Sequence, residues 1–194
     1  MACQRGFSLI EMVVVVVIMG ILLGLGLPSY RAYMANQRIV ANAEVFMSGL
    51  QMARAEAVKL NQRVEFILTD VDPTPASVDT TTTSTTGRNW IVRALAAGGN
   101  AFIEGKSGAE GSGSATGAGS PVVLTGSLAA ITFDGFGMPV GLATTATFDF
   151  SNPSAGNCAP AGQVRCLQVR LSRGGQARLC DPATPVGDTR SCGI

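Results

Sequence analysis

A single carboxylate, Glu11, interrupts a stretch that carries no other charge from Gly6 to Leu27. Near the opposite end, Arg165, Arg170, Arg173 and Arg178 fall between Cys158 and Cys180 with no acidic residue among them. Four cysteines, Cys158, Cys166, Cys180 and Cys192, occupy the same part of the chain. Each group has its own chemistry. An ionised Glu in an apolar span costs about 2.5–3.5 kcal/mol by insertion scales, so it marks a place that meets an opposite charge. Clustered arginines recognise anions, phosphate above all. An even set of cysteines forms disulfides outside the cytoplasm, or holds zinc.

Composition narrows the choice. The 194 residues include no His, which removes the commonest general base and the commonest metal ligand. A hydrolase needs a nucleophile beside a positioned base, and the acidic residues here are scattered. Gly105-Lys106-Ser107 imitates the end of a phosphate-cradling loop, but Asn100 stands where the first Gly of that motif belongs. No enzyme activity, cofactor or metal is therefore expected. A net charge of +1 gives the whole chain no general affinity for polyanions.

The elements that position these groups follow from hydropathy and period. Residues 7–27 would span roughly 31 Å as a helix, enough to cross a bilayer. The positive-inside rule puts Arg5 in the cytoplasm and the rest of the chain outside it. Gly20, Gly24, Gly26 and Pro28 make this helix easy to kink or melt, and the Gly20–Gly24 spacing also suits close helix packing. From residue 28 to 62 the pattern is amphipathic. Tyr30, Tyr33, Met34, Val40, Ala43, Phe46, Met47, Leu50, Ala53, Ala57 and Val58 recur at three- and four-residue steps. The two segments together predict one helix about 80 Å long, part in lipid and part in the head.

Residues 63–194 read as a β-rich head, with strands expected over 63–69, 90–94, 122–124, 130–133, 147–150, 166–172 and 176–180. The Thr-rich stretch 79–86 and the Gly/Ser-rich stretch 105–120 read as surface loops. Trp90 reads as a core or strand-edge aromatic. An α+β architecture results, with the helix packed on an antiparallel sheet.

The last two strands carry a register argument. Alternation puts Leu167, Val169 and Leu171 on one face, and Ala177 and Leu179 on one face of the next strand. The faces coincide if the loop is Arg173-Gly174-Gly175, a common three-residue connection. Val169 then opposes Leu179 inside and Arg170 opposes Arg178 outside. Directly opposed like charges are unfavourable. Either an external anion relieves them, or solvent, Asp149 or Asp181 screens them. The four cysteines allow three pairings; Cys158–Cys166 with Cys180–Cys192 is the expectation. Zinc is disfavoured by the absence of His and of a close Cys-x-x-Cys pair.

The stretch Gly6-Phe7-Ser8-Leu9-Ile10-Glu11 resembles the class III signal of type IV prepilins and type II secretion pseudopilins. The resemblance implies cleavage by a prepilin peptidase between Gly6 and Phe7, with loss of Cys3, and N-methylation of Phe7. Glu11 becomes the fifth mature residue, attracting the Phe7 ammonium of a neighbouring subunit. Residues 50–59, Leu-Gln-Met-Ala-Arg-Ala-Glu-Ala-Val-Lys, followed by Asn61-Gln62-Arg63-Val64, resemble the FimT/GspH family of minor pilins and pseudopilins. That implies a structural subunit in the bacterial inner membrane, its head in the periplasm, which primes or caps a type IV pilus or a secretion pseudopilus alongside other pilins. The alternative it implies is a DNA-binding minor pilin acting in DNA uptake. Family members implicated in uptake carry a Gly-Arg-x-Arg motif; here the match is Gly175-Gln176-Ala177-Arg178, with Gln in place of the first Arg. Arg170, Arg173 and Arg178 are the candidate DNA contacts.

Overall fold

The computed structural model describes residues 8–108 and 122–193, and within the helix it leaves out the side chains of residues 23 and 25–29. Gly6 and Phe7, and most of the Gly/Ser-rich stretch, lie outside the described residues.

Helix α1 (Leu9–Leu60) is a single 52-residue element, about 78 Å long at the standard rise. Ser8 caps its start by accepting a hydrogen bond from the Glu11 amide at 3.3 Å. Asn61 ends it in the left-handed region, φ 50° and ψ 40°, the conformation in which helices commonly stop. The backbone is helical through Gly20, Gly24, Gly26 and Pro28.

Among the described residues eight strands follow: β1 (Val64–Thr69), β2 (Asn89–Ala94), β3 (Ala101–Lys106), β4 (Val123–Gly126), β5 (Ala130–Phe133), β6 (Ala146–Ser151), β7 (Leu167–Leu171) and β8 (Ala177–Cys180). They form two antiparallel sheets, β3-β2-β1-β5 and β4-β6-β7-β8. The α+β expectation holds, with two sheets under the helix where one was expected. The chain changes sheets at residues 127–129. There the Ser127 amide donates to Thr147 O and the Leu68 amide donates to Ala129 O, tying the link to both sheets.

Strand β3 is not among the strands expected from the sequence, and its last two residues fall within the stretch 105–120 expected to be a surface loop. It lies at a sheet edge, its residues are at most half-buried, and so it lacks the alternation that marks a buried strand. The Thr-rich stretch 79–86 contains no strand or helix.

One face of α1 makes the core. Ile39, Ala43, Phe46, Leu50, Ala53 and Ala57 are buried at steps of four and three. This stripe is narrower than the sequence pattern: Tyr30, Tyr33 and Val58 are exposed. Phe46 joins the sheets, its ring 5.0 Å from Phe66 of β1, 4.8 Å from Phe148 and 5.4 Å from Phe150 of β6. Trp90 is buried and stacks on Phe66 at 5.3 Å. A Cβ at Gly49 would come within 2.8 Å of the Trp90 ring, so glycine at that position is what lets the indole lie against the helix.

Candidate functional site

Two places carry the chemistry flagged by the sequence, and they lie at opposite ends of the subunit's architecture. At the start of α1, the Glu11 carboxylate stands in the first turn, where the helix dipole favours a negative charge. It is exposed and makes no ion pair among the described residues. Around it the helix presents bare hydrocarbon: Leu9 is 83% exposed, Ile10 72% and Val16 67%. An apolar surface of this extent needs a cover of lipid or protein. Among the described residues no helix is long and apolar enough to cross a membrane; residue 7 and the side chains of residues 23 and 25–27 of the expected span lie outside that description.

The second place is the β7–β8 hairpin. Val169 pairs with Leu179 and Arg170 with Arg178, and the Ser172 amide donates to Gln176 O at 3.0 Å, so the loop is Arg173-Gly174-Gly175. Gly175 has φ +75°, and a Cβ there would meet Gly137 O at 2.5 Å. The same carbonyl accepts from Arg54 Nε at 3.0 Å. Helix end, hairpin tip and the 134–139 loop are thus joined at one carbonyl.

The chain itself answers the opposed arginines. Arg170 donates to Cys192 O and Arg178 to Ser191 O. Neither acidic candidate serves them: Asp181 accepts from Arg165 Nε at 2.8 Å, and Asp149 from Gln168 Nε2 at 2.7 Å. The acceptors belong to a C-terminal strap, residues 181–193, laid over the outer face of the hairpin. Cys180 is bonded to Cys192 and Cys158 to Cys166, the pairing expected for the four cysteines. Asp181 N donates to Arg190 O at 2.8 Å, and within the strap Arg190 hydrogen-bonds Asp188 and holds its carboxyl below the ordinary value of 3.8. Of the three candidate DNA contacts only Arg173, exposed at the hairpin tip, has no side-chain hydrogen bond or ion pair among the described residues. Arg170 and Arg178 still line a shallow groove with Thr145, Ser172 and Gln176.

The strap carbonyls were not anticipated. A backbone oxygen has no side-chain signature, but the Cys180–Cys192 pairing, followed through, brings residues 191 and 192 beside the end of β8 and hence beside the arginines.

The family described as Type II transport protein GspH matches residues 42–175, more than half of the chain. The chain belongs to that family. The GspH match takes in the core face of α1 from Ala43 onward and ends at the hairpin glycine, Gly175. The prokaryotic N-terminal methylation motif matches residues 1–27, which contain Gly6, Phe7 and Glu11. Fimbrial protein Q of Moraxella bovis is 28% identical over 105 residues, 54% of this chain and 66% of that relative, just under two thirds of its length. The crystal structure of the Pseudomonas aeruginosa type IV minor pilin FimU aligns with a TM-score of 0.50 at 18% identity, covering 79% of this chain and 94% of that one. The minor pseudopilin EpsH from the Type 2 Secretion System of Vibrio cholerae aligns at 15% identity and a TM-score of 0.46, over 77% of this chain and 99% of that one. This GspH-family chain is thus a member of the minor type IV pilins and pseudopilins, with the pilin-like plan of a long helix on antiparallel strands.

Proposed function

We propose that this subunit is anchored in the bacterial inner membrane by α1, is cut by a prepilin peptidase between Gly6 and Phe7, and enters a type IV pilus or type II secretion pseudopilus to prime or cap it. Its head lies in the periplasm and its partners are other pilins or pseudopilins. No catalytic role is assigned to it. The observation that carries the reading is Glu11, a carboxylate without an ion-pair partner among the described residues, in the first turn of an exposed apolar helix. Exposed charge amid hydrocarbon is costly in lipid and is relieved by the N-methylated Phe7 ammonium of a neighbouring subunit. The test is Glu11→Leu: the variant inserts in the membrane and fails to appear in sheared fibres. Normal incorporation sinks the reading. Mass spectrometry of the mature chain is expected to start at Phe7 with one added methyl. A neighbouring secretion operon or minor-pilin operon distinguishes the two machines.

A second reading, contact with duplex DNA, is favoured by the groove that Arg170 and Arg178 line and by the nearby exposed Arg173, whose side chain has no partner among the described residues. Each guanidinium has five N–H donors, so a carbonyl contact leaves others for phosphate. Binding on this reading is weak and falls steeply with salt. An anisotropy titration at low salt that detects no binding removes it.

A further inference from the structure

Where α1 leaves its apolar stretch and meets the head, it turns basic. Tyr30 and Tyr33 are exposed, 61% and 58%, with the exposed Arg31 between them and the half-buried Arg38 beyond. Neither guanidinium makes a hydrogen bond or ion pair among the described residues. Seven residues apart, they stand two turns from each other on one helix face, about 10 Å along the axis. Side chains on a helix lean toward its N-terminus, so Arg38 leans toward the turn that holds Arg31, and both lean toward the membrane end.

Both line one open groove between α1 and the 152–163 loop. The opposite wall carries Ser154, Asn157 and Gln163, and no Asp or Glu lines the groove anywhere. The loop wall is built rather than loose. Asn36 receives the Arg165 amide at 2.7 Å and donates to Gln163 O at 3.4 Å, and the Cys158–Cys166 disulfide closes the loop. A positive groove with neutral hydrogen-bonding groups opposite and the exposed Tyr30 in its lining has the composition of a membrane–water interface.

We infer that this groove binds the phosphate of an anionic phospholipid in the outer leaflet of the membrane that α1 occupies before assembly. The inference rests on the membrane reading given under Proposed function and adds the headgroup as a ligand. Charge complementarity and continuity with the apolar helix select this occupant. Arg31 and Arg38 bracket the phosphate, Tyr30 and Tyr33 sit at headgroup level, and Ser154, Asn157 and Gln163 face the glycerol and headgroup hydroxyls. Entry into a fibre then requires release of this lipid.

The test uses the full chain reconstituted in nanodiscs of equal phosphatidylglycerol and phosphatidylcholine, with retained lipid identified by native mass spectrometry. The wild type is expected to retain phosphatidylglycerol over phosphatidylcholine by roughly tenfold, from two juxtamembrane arginines. Arg31→Gln with Arg38→Gln abolishes that preference, while Arg173→Gln leaves it intact. An equal preference in the wild type and the double variant overturns the inference. So does a double variant that keeps its lipid but no longer enters fibres, which makes the groove a subunit contact. Carbonate extraction of the wild type from membranes separates the two levels: a protein that washes out contradicts the membrane reading itself, whereas one that resists washing but shows no lipid preference contradicts only the groove.

Discussion

The two ends of this subunit treat charge in opposite ways. At the start of α1 a lone carboxylate and a sleeve of exposed hydrocarbon are left for something outside the chain to satisfy. On the outer face of β7 and β8 two opposed arginines, which alone would repel, are taken up by the carbonyls of Ser191 and Cys192. Groups a fold answers internally serve stability; groups it leaves unanswered are where partners act. Glu11 belongs to the second class, Arg170 and Arg178 largely to the first, and Arg173 sits between them.

Substitutions can break that contrast. The largest expected effect on stability is Phe46→Ala, which removes the ring joining both sheets and costs about 3–5 kcal/mol; urea unfolding of the detergent-solubilised chain reads it. Val15→Ala in the exposed sleeve leaves the same unfolding curve in place. Equal losses at the two sites would erase the distinction between core and sleeve.

Next in size is the strap. Replacing Cys180 and Cys192 by Ser opens a 12-residue separation and is expected to cost about 2–3 kcal/mol. Hydrogen exchange should rise across residues 181–193 and at the Arg170 and Arg178 amides. Arg170→Ala costs about 1–2 kcal/mol through the lost charged hydrogen bond, while Arg173→Ala stays within about 0.5 kcal/mol. Equal sensitivity at the two positions would mean that the carbonyl contacts contribute nothing.

The smallest effect concerns Asp188. Hydrogen bonds from Arg190 lower its carboxyl below 3.8, so its contribution is present above the unfolded value and fades as pH falls through the lower folded one. Arg190 is exposed and Asp188 half-exposed, and solvent screening makes the effect slight. Exchange protection in the strap is expected to hold constant from neutral pH down to about pH 4, with any fall confined to more acid solution and absent in Asp188→Asn.

Much of this was legible in the chain. The helix, the hairpin register and seven of the eight strands follow from period and turn chemistry. Val169, Arg170, Arg178 and Leu179 sit in the pairs that the three-residue loop dictates. Strand β3 escaped because an edge strand with a half-exposed surface and an internal Gly105 has no hydrophobic alternation to read. The helix stripe was drawn too wide because periodicity marks a face but not where the head stops covering it; Tyr30, Tyr33 and Val58 keep the period and lie outside the core. The strap's role escaped because its acceptors are main-chain oxygens. The lone carboxylate needed no fold to be noticed, since its cost comes from the apolar sequence around it.

The most direct test of the contrast is Glu11→Gln, which keeps size and hydrogen bonding and removes only the charge. The quantity to measure is the ratio of subunit in sheared fibres to subunit in the carbonate-resistant membrane fraction. The ratio is expected to fall by about tenfold or more, with the urea midpoint of the head unchanged. A wild-type ratio in Glu11→Gln would contradict the assignment of Glu11 as the charge on which assembly depends.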